Sequence, residues 1–437
     1  MLMLLILHIA GNAQKITSGK NIDSLTFALY QQNAWDSLIR AGTNAIQSGY
    51  DYYYMQMRVG IAWHQKTNYR KSVAYFRKAL RLYPGDPVAT GYLYYALLLG
   101  GRAEEAAHLA ASQDSMMILR TRVSRPKFIE EVYLETGPGF PGYSDLNGKE
   151  RTEHPADSIY NSSFYYNSVF YTHAGLRLNV RPWLNVYQGY SYLKSSFTQK
   201  LNFRGMVAPD FTETANQHEY YGNVRVHLPG GFLVTPAYHF ISWKYDLRKD
   251  AYNPVFDVLT YDTSTITLNS HIVALSVKKH FGLFAGEISS SYSVFEHDDV
   301  VQFGLFGSVY PFGNTDLYGR SGVVLKSGSH TSDWIFKQLI GFSPARKLWL
   351  EVEATVGDLR DFNERNAFVV YNTPEKINYK IEWDLIYQLS HEVELSLRYR
   401  YAQRENSYLT YLDYENSTNI STTYPFHTFF LGIKWRL

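Results

Sequence analysis

The stretch that decides the fold is Phe426-His427-Thr428-Phe429-Phe430-Leu431-Gly432-Ile433-Lys434-Trp435-Arg436-Leu437. Successive side chains of a β-strand point to opposite faces, so the stretch can be divided into two sets of alternate residues. One set is apolar and the other carries two cations: Phe429, Leu431, Ile433, Trp435 and Leu437 against Thr428, Phe430, Gly432, Lys434 and Arg436. The sequence therefore predicts a strand that separates an apolar environment from an aqueous one.

The preceding segments repeat this two-residue period. In Ile377–Leu389 every second residue from Ile377 onward is apolar or aromatic, and three of the intervening residues are charged: Lys380, Glu382 and Asp384. After a three-residue turn, Val393–Tyr401 alternates in the same way, with Glu394, Arg398 and Arg400 on the second face. A soluble β-sandwich rarely sustains Trp and Tyr at the ends of so many strands, whereas outer-membrane β-barrels do. Residues 128–437 are therefore predicted to form a transmembrane antiparallel β-barrel.

The strand count follows from the connections. Short turns such as Ser390-His391-Glu392 alternate with longer polar segments, as periplasmic turns and extracellular loops do. The long segments fall near residues 138–162, 200–215, 247–265, 296–299, 327–332, 358–376 and 410–425. With Phe128–Gly137 as the first strand, the pattern predicts about 14 strands, and 12 if the first strand fails. An even number places both ends of the barrel on the same side, which we expect to be periplasmic.

Tryptophans mark both predicted ends of the strands. Trp183, Trp349 and Trp435 fall near short turns, and Trp243 and Trp334 fall near long loops. Because amphipathic rings collect at the two membrane–water interfaces, this distribution predicts two aromatic girdles on the outer surface.

Composition excludes several functional classes. The 437 residues carry a net charge of +2, which gives no reason to expect nucleic-acid binding. The absence of cysteine excludes disulfides, thiolate metal sites and cysteine catalysis. Residues 1–13 combine the apolar run Leu2–Leu7 with the small residues Gly11 and Ala13, which predicts a signal peptide cleaved before Gln14. No Lys or Arg precedes the apolar run, so a buried N-terminal helix is the alternative.

Residues 19–113 show a 34-residue helical period. Within Tyr53–Asp86 the order of small and aromatic residues closely resembles a tetratricopeptide repeat: Gly60, Ala62, Trp63, Tyr69, Phe76, Ala79 and Pro84. Weaker units flank it, which gives two and a half to three repeats. This TPR-like solenoid is expected to bind a protein or peptide, and the alternative is a plug or spacer. Residues 114–127, with Arg120, Arg122 and Arg125, are interpreted as a linker.

The charges of the predicted lumen face concentrate in the last strands. They are Glu351, Glu353, Lys380, Glu382, Asp384, Glu394, Arg398, Arg400, Lys434 and Arg436. One interpretation is a hydrated, salt-bridged wall in a barrel too wide for apolar packing. The other is a constriction that selects a polar solute. Lys434 and Arg436 are expected to pair with Glu394.

Catalysis is not predicted. His173, His227, His239 and His271 fall on different predicted strands, and His297-Asp298-Asp299 falls on an outer loop. No nucleophile motif accompanies these histidines, and no His pair has metal-ligand spacing. We therefore expect no cofactor and no metal. A barrel enzyme acting on lipid or peptide would require a His–Ser or His–carboxylate pair at the rim.

An export signal, TPR-like repeats and a barrel ending in Gly432-Ile433-Lys434-Trp435-Arg436-Leu437 together resemble the YaiO-type outer-membrane β-barrel family. The resemblance covers the whole chain and implies an α+β multidomain protein of the outer membrane with its helical domain in the periplasm. Exopolysaccharide secretion porins share this plan but usually have far longer repeat arrays. The first functional expectation is a non-enzymatic barrel whose repeat domain docks a protein or envelope polymer. A pore or exopolysaccharide duct is the alternative. The expected partners are outer-membrane lipid, the barrel-assembly machinery and a periplasmic protein or polysaccharide.

Overall fold

The computed structural model describes residues 19–121, 123, 127–142, 159–203, 206–207, 211–228, 231–253, 258–296, 298–329, 331–373, 375–413 and 415–437. The predicted signal peptide and His297 lie outside the described residues. The chain divides into a helical unit and a barrel unit, which are described separately.

Seven α-helices precede the strands in the part of the chain that the structure describes. They are α1 (Gly19–Gln31), α2 (Trp35–Gln47), α3 (Tyr53–Gln65), α4 (Tyr69–Leu82), α5 (Pro87–Leu99), α6 (Ala103–Ala111) and α7 (Ser115–Thr121). Helix α7 lies inside the segment interpreted as a linker from the sequence. Asp114 caps its first turn by accepting a 2.7 Å hydrogen bond from the backbone N–H of Met117. No helix among the described residues has both the length and the apolar character needed to cross a membrane.

The TPR-like signature lies between α3 and α4. A Cβ atom on Gly60 would come within 2.7 Å of Cε1 of Phe76, so only glycine lets the two helices approach this closely. Ala62, Phe76 and Ala79 are fully buried. Helix α4 ends at Leu82, two residues before Pro84, which cannot continue a helix. The residue order read from the sequence thus corresponds to an interlocked helix pair.

Seventeen β-strands follow among the described residues. They are β1 (Ile129–Pro141), β2 (Tyr160–Arg181), β3 (Leu184–Phe203), β4 (Met206–Val207), β5 (Phe211–Leu228), β6 (Phe232–Asn253), β7 (Val258–Phe281), β8 (Phe284–Val294), β9 (Asp299–Val309), β10 (Leu317–Ser327), β11 (Ser332–Ala345), β12 (Leu348–Val356), β13 (Phe362–Glu364), β14 (Val369–Tyr371), β15 (Lys376–Gln388), β16 (Val393–Tyr411) and β17 (Ser417–Arg436).

Fourteen of these strands close an antiparallel barrel in chain order. Strands β4, β13 and β14 are short additions, and β17 pairs with both β16 and β1. Trp435 is opposite Val393 on one side and Val132 on the other. The predicted fold class, the count of 14 and the two neighbours of the last strand are confirmed.

The two ends of the barrel differ. We call the end with connections such as 182–183 and 389–392 the turn end, and the opposite end the hairpin end. The predicted contrast in loop length is wrong at several places. Within 247–265, β6 continues to Asn253 and β7 begins at Val258. Thr and Tyr favour strands, so this polar segment stays paired, for example Arg248 with Thr263, instead of forming a loop.

Three predicted outward-facing residues lie on the lumen face. Trp349 is one of them, because it lies on the same face of β12 as the lumen-lining Glu351 and Glu353. Ile377 is 2% exposed because the strand register shifts between Ile377 and Tyr379, and one extra residue in a strand moves its neighbour to the other face. Trp243 lines lumen cavities, so it does not belong to an outer aromatic girdle. Trp334, by contrast, is 58% exposed.

Candidate functional site

The candidate site is built around the connection between β12 and β15. This connection, residues 357–375, folds into the barrel and is named the lumen hairpin; Pro374 lies outside the described residues. Its strands β13 and β14 pair from Phe362 opposite Tyr371 to Glu364 opposite Val369. The polar sequence of 358–376 predicts an extracellular loop, and that prediction is wrong. The segment is drawn inward because it carries apolar residues that become buried, including Leu359, Phe362 and Tyr371.

The tip of the lumen hairpin reaches the opposite wall. The backbone carbonyl of Ala367 lies 2.7 Å from Nδ1 of His239 on β6. The side chain of Asn366 donates to the carbonyl of Thr235 at 3.1 Å, and the Tyr221 hydroxyl donates to the Asn366 carbonyl at 3.1 Å. These contacts satisfy backbone groups that would otherwise be buried without partners. The hairpin therefore crosses the lumen from β12 and β15 to β5 and β6.

Buried ion pairs attach the base of the hairpin to the wall. The Lys380 ammonium on β15 donates to Glu364 at 2.6 Å and to Glu382 at 2.7 Å. Lys337 on β11 also pairs with Glu364. Arg365 donates to Glu382 at 3.0 Å. Because buried charges are costly unless they are paired, each of these groups depends on its partners on the other element.

The carboxylates of Glu353, Glu364 and Glu382 lie close enough together to hold a metal ion, with oxygens within 4.8 Å of one another. Lys380 lies among them, with its ammonium 3.7 Å from Glu353 and nearer to the other two. Lys337 adds a second ammonium 3.2 Å from Glu353. Ammonium groups thus supply the positive charge that a cation would bring, and the arrangement fits an ion-pair network.

The ten predicted lumen charges separate into several groups. Glu353, Lys380, Glu382 and Arg400 belong to the network of the hairpin, with Arg400 donating to Glu382 at 2.7 Å. A second group joins Asp384 and Arg398, whose Nε donates to Asp384 at 2.7 Å. A third joins Glu394 to Lys434 at 3.0 Å and to Arg436 at 2.8 Å, which confirms that predicted pairing. Glu351 accepts a hydrogen bond from the Tyr318 hydroxyl.

Four charged residues of these groups were missed from the sequence: Glu135, Lys337, Glu364 and Arg365. Arg398 donates to Glu135 across to β1 at 3.0 Å, and alternation along β1 could have revealed that side chain. Glu364 and Arg365 lie in a segment expected to be solvent-exposed. The sequence feature that could have indicated their burial is the pair of apolar residues around them, Phe362 before and Val369 after, because such residues are unusual in a solvated loop.

Two predicted histidines have polar partners deep in the lumen. Nδ1 of His173 lies 2.9 Å from Oγ of Ser191, its partner across the β2–β3 ladder. Nε2 of His239 lies 3.4 Å from a carboxylate oxygen of Glu219. Ser191 is 3% exposed, and Phe368 of the lumen hairpin packs edge-on against the His173 ring at 5.1 Å. These pairs are enclosed and lie away from the rim, and both histidines contact the hairpin tip, His239 through the Ala367 carbonyl and His173 through Phe368.

Three cavities follow one another past the lumen hairpin. The first, of about 440 Å³, is lined by turn-end residues such as Lys434 and by the hairpin tip. The second, of about 170 Å³, lies beside Val369 and Tyr371 and shares Arg398 with the first. The third, of about 650 Å³, shares Trp243 with the second. The smallest of these three cavities therefore lies beside the hairpin.

The linings change in character along this series. The turn-end cavity contains equal numbers of cations and acids: Lys278, Arg320, Lys337, Arg365, Arg398 and Lys434 with Glu287, Glu351, Glu353, Glu364, Asp384 and Glu394. The narrow cavity combines Arg398, Arg400 and Arg404 with the acids Glu135 and Glu219. The narrow cavity therefore carries charges of both signs.

Comparisons with known proteins give the following matches. No protein-family model matches the chain, and no curated protein matches its sequence. The translocator domain of the autotransporter NalP from Neisseria meningitidis is similar at 9% identity and a TM-score of 0.31, over 79% of this chain and 96% of that one. A deletion mutant of the TodX monoaromatic hydrocarbon channel is similar at 5% identity and a TM-score of 0.44, over 70% and 90%. A MamA structure matches 24% of this chain at 16% identity and a TM-score of 0.21, and the chain spans 54% of that MamA chain.

Proposed function

We propose that this chain is an outer-membrane pore for small solutes, constricted by the lumen hairpin, with its helical unit in the periplasm. The observation that carries the proposal is the buried ion-pair network that fixes the hairpin across the lumen beside a cavity of about 170 Å³. A barrel that served only as an anchor would not need a hairpin held across its lumen by buried charges of both signs. The proposal includes no catalytic step, metal or cofactor.

The outer surface supports a membrane location. Ile288, Leu305 and Leu431 are 65%, 61% and 64% exposed. Soluble proteins rarely expose contiguous apolar patches of more than a few hundred Å², whereas a lipid-facing barrel surface is apolar throughout. Strand β1 begins at the turn end and β17 finishes there. Outer-membrane barrels direct their short turns to the periplasm, so we place the helical unit on that side. We further propose insertion by the barrel-assembly machinery through β17.

The dimensions favour small solutes over a polymer. A water molecule occupies about 30 Å³ in the liquid, so a cavity of about 170 Å³ corresponds to only a few waters. A polysaccharide would need a continuous wide bore through the same position. The lumen hairpin occupies that position, with Ala367 fully buried against the far wall. This argues against the exopolysaccharide duct that the sequence left open.

Conductance across a planar lipid bilayer tests the proposal. We expect the full chain to conduct and the replacements Glu382→Gln and Arg398→Gln to change ion selectivity, since both side chains line or border the narrow passage. Lys376→Met on the same wall is the matched control and should leave selectivity unchanged. The proposal would be overturned if neither the wild type nor a variant with residues 360–372 replaced by a short glycine–serine turn conducts ions.

A second function is carried by the helical unit. Tyr54, Tyr83 and Val88 on or beside α3, α4 and α5 are 65%, 59% and 55% exposed. Exposed apolar and aromatic side chains of this kind contribute strongly to protein interfaces. We propose that this surface docks a periplasmic protein or envelope polymer. A photo-crosslinking side chain at position 54 of the full chain should capture a defined partner in cells. The same probe at Lys66, outside the aromatic surface, is the control, and equal capture from both positions would contradict docking.

A further inference from the structure

We propose that the third cavity, at the hairpin end, is a binding site for an uncharged, apolar molecule that contains one or more rings. This inference deepens the proposed pore function, on which it rests, by naming the class of solute that enters. The cavity has a volume of about 650 Å³, within the usual range of about 300–1,000 Å³ for small-molecule sites. Its wall includes Phe164, Phe197, Trp243, Tyr245, Leu268 and Phe295.

The rings of this wall form a connected surface. The Trp243 and Tyr245 rings have centroids 4.7 Å apart with an interplanar angle of 32°. Phe197 meets Tyr245 edge-on at 6.2 Å, and Phe164 lies 6.1 Å from Phe197. Offset and edge-on arrangements such as these are the favoured geometries of aromatic pairs. A planar ligand would extend the same packing into the cavity.

This apolar wall lies on the lumen face, where a water-filled barrel normally has polar residues. The lumen of a wide barrel is normally polar, and its aromatic residues lie on the outside near the head groups. Here Trp243 has its neighbours Ile241 and His239 buried on the same inward face. Apolar surface in contact with water is unfavourable, and a bound apolar molecule would remove that contact. The placement of Trp243 inside the lumen is thus explained by a ligand.

Two charged groups of the same wall, Lys326 and Asp298, are engaged with the protein. The Lys326 ammonium donates to the backbone carbonyls of Asp358 and Arg360 at 2.8 Å each. Asp298 accepts a hydrogen bond from the backbone N–H of Ser329 at 2.9 Å. Because these charges already hold the base of the lumen hairpin and a neighbouring turn, they select against a charged ligand, which would be desolvated without a new partner. The larger part of the surface left to the ligand is aromatic and aliphatic, and its remaining charged residues are Glu296, Arg360 and Asp361.

Equilibrium dialysis of 2-naphthol against the full chain in lipid nanodiscs tests the inference, with empty nanodiscs measured in parallel to subtract partition into lipid. We expect one saturable site per chain. Val300→Trp should fill the cavity, and Trp243→Ala should remove a stacking face, each weakening binding by about tenfold or more. Trp334→Ala, which removes an exposed tryptophan from the outer surface, is the matched control and should leave binding unchanged.

The outcomes separate this inference from the pore itself. Absence of saturable 2-naphthol binding by the folded wild type would overturn it, as would equal binding by Trp243→Ala and Trp334→Ala. Displacement of 2-naphthol by maltose at lower concentration than by unlabelled 2-naphthol would overturn it in favour of a sugar site. Heat-modifiable gel migration reports whether each variant folds. If Val300→Trp does not fold, binding by Trp243→Ala alone tests the inference. Conductance of the same samples is independent: a conducting chain without binding contradicts the ligand class and leaves the pore intact.

Discussion

The ammonium nitrogen of Lys380 lies 2.6 Å from a carboxylate oxygen of Glu364, and their side chains are 0% and 1% exposed. This ion pair joins the barrel wall to the lumen hairpin, so the position of the hairpin should respond to a single change at Lys380. Glu382 accepts from the same ammonium at 2.7 Å, so Lys380 compensates two buried carboxylates together.

Lys380→Met should loosen the lumen hairpin. Removing one partner of a buried ion pair leaves an uncompensated charge and costs about 3–5 kcal/mol. Lys337 and Arg365 remain beside the carboxylates, so we expect a cost near the lower end, about 3 kcal/mol. Backbone amides of residues 362–371 should exchange hydrogen faster, and conductance should rise.

Two companion variants control for Lys380→Met. Lys376→Met removes the same charge from the same strand outside the network and should leave exchange unchanged. Combining Lys380→Met with Glu364→Gln removes both charges, so it should restore part of the protection lost in the single variant. If amide exchange in the hairpin is identical in all of these proteins, the ion pair does not hold it.

Gly137→Ala should prevent closure of the barrel. A Cβ atom at Gly137 would lie 1.7 Å from the backbone carbonyl oxygen of Phe429, on the strand that completes the barrel. A backbone atom cannot move aside as a flexible side chain can, so β1 and β17 would have to separate. Folding yield, read from heat-modifiable gel migration, should fall severely.

Gly222→Ala is the control for this change. Gly222 also lies within a barrel strand, but a Cβ atom there would meet its nearest neighbour at 3.7 Å, an ordinary contact. Normal folding of both variants would show that the β1–β17 seam tolerates a wider spacing than the structure has.

The sequence predicts which side chains pair across neighbouring strands wherever the two strands alternate regularly. The pairing of Lys434 with Glu394 follows from alternation on two strands and from the position of the last strand between its neighbours. His173 and Ser191 could not be found in the same way, because the β2–β3 ladder shifts register between Asn179 and Arg181. Counting back from the turn at 182–183 would place His173 opposite Tyr192 instead of Ser191.

The lumen hairpin could not be predicted from local pattern. Its path depends on partners far along the chain, such as Thr235 and His239 for the tip and Ser291 for Asn363. Polar composition favoured a solvated loop, whereas the deciding energy came from burying Phe362 and Tyr371 and from pairing Glu364. The outward face predicted for Ile377 is wrong for a related reason. A single bulge between Ile377 and Tyr379 reverses which residues face the lumen in a strand that otherwise alternates regularly.

Acid should destabilise the helical unit through His64. Burial lowers the pKa of His64 below its ordinary value of 6.5, so the folded unit keeps this imidazole neutral. Its ring packs edge-on against Tyr69 at 5.0 Å and Tyr92 at 5.4 Å. As the pH falls below 6.5 the unfolded chain takes up the proton first, so stability should decline until the pH passes the lowered pKa of the folded state.

His64→Phe keeps an aromatic ring and removes the titration. The midpoint of helix melting, followed by circular dichroism at 222 nm, should fall between pH 7.5 and pH 5.5 in the wild type and change less in the variant. A drop of equal size in both proteins would assign the pH dependence to other groups.

Removal of the last three residues should block assembly of the barrel. Trp435 pairs with Val132 on β1 and with Val393 on β16, so its loss shortens the ladders on both sides of the closing strand. The same truncation removes Arg436 and with it one of the two cations that compensate Glu394. Both losses act on barrel formation, and the narrow part of the lumen is formed by other residues.

Two substitutions separate these contributions. Arg436→Gln removes the cation and keeps the strand, so it should fold with nearly normal yield because Lys434 still lies 3.0 Å from Glu394 and the Arg436 pair is largely exposed. Trp435→Ala keeps the backbone pairing and removes an outer side chain that is 47% exposed. Outer-membrane fractionation in cells should rank the truncation lowest and Arg436→Gln near the wild type. Normal insertion of the truncated chain would contradict a role of the terminus in assembly.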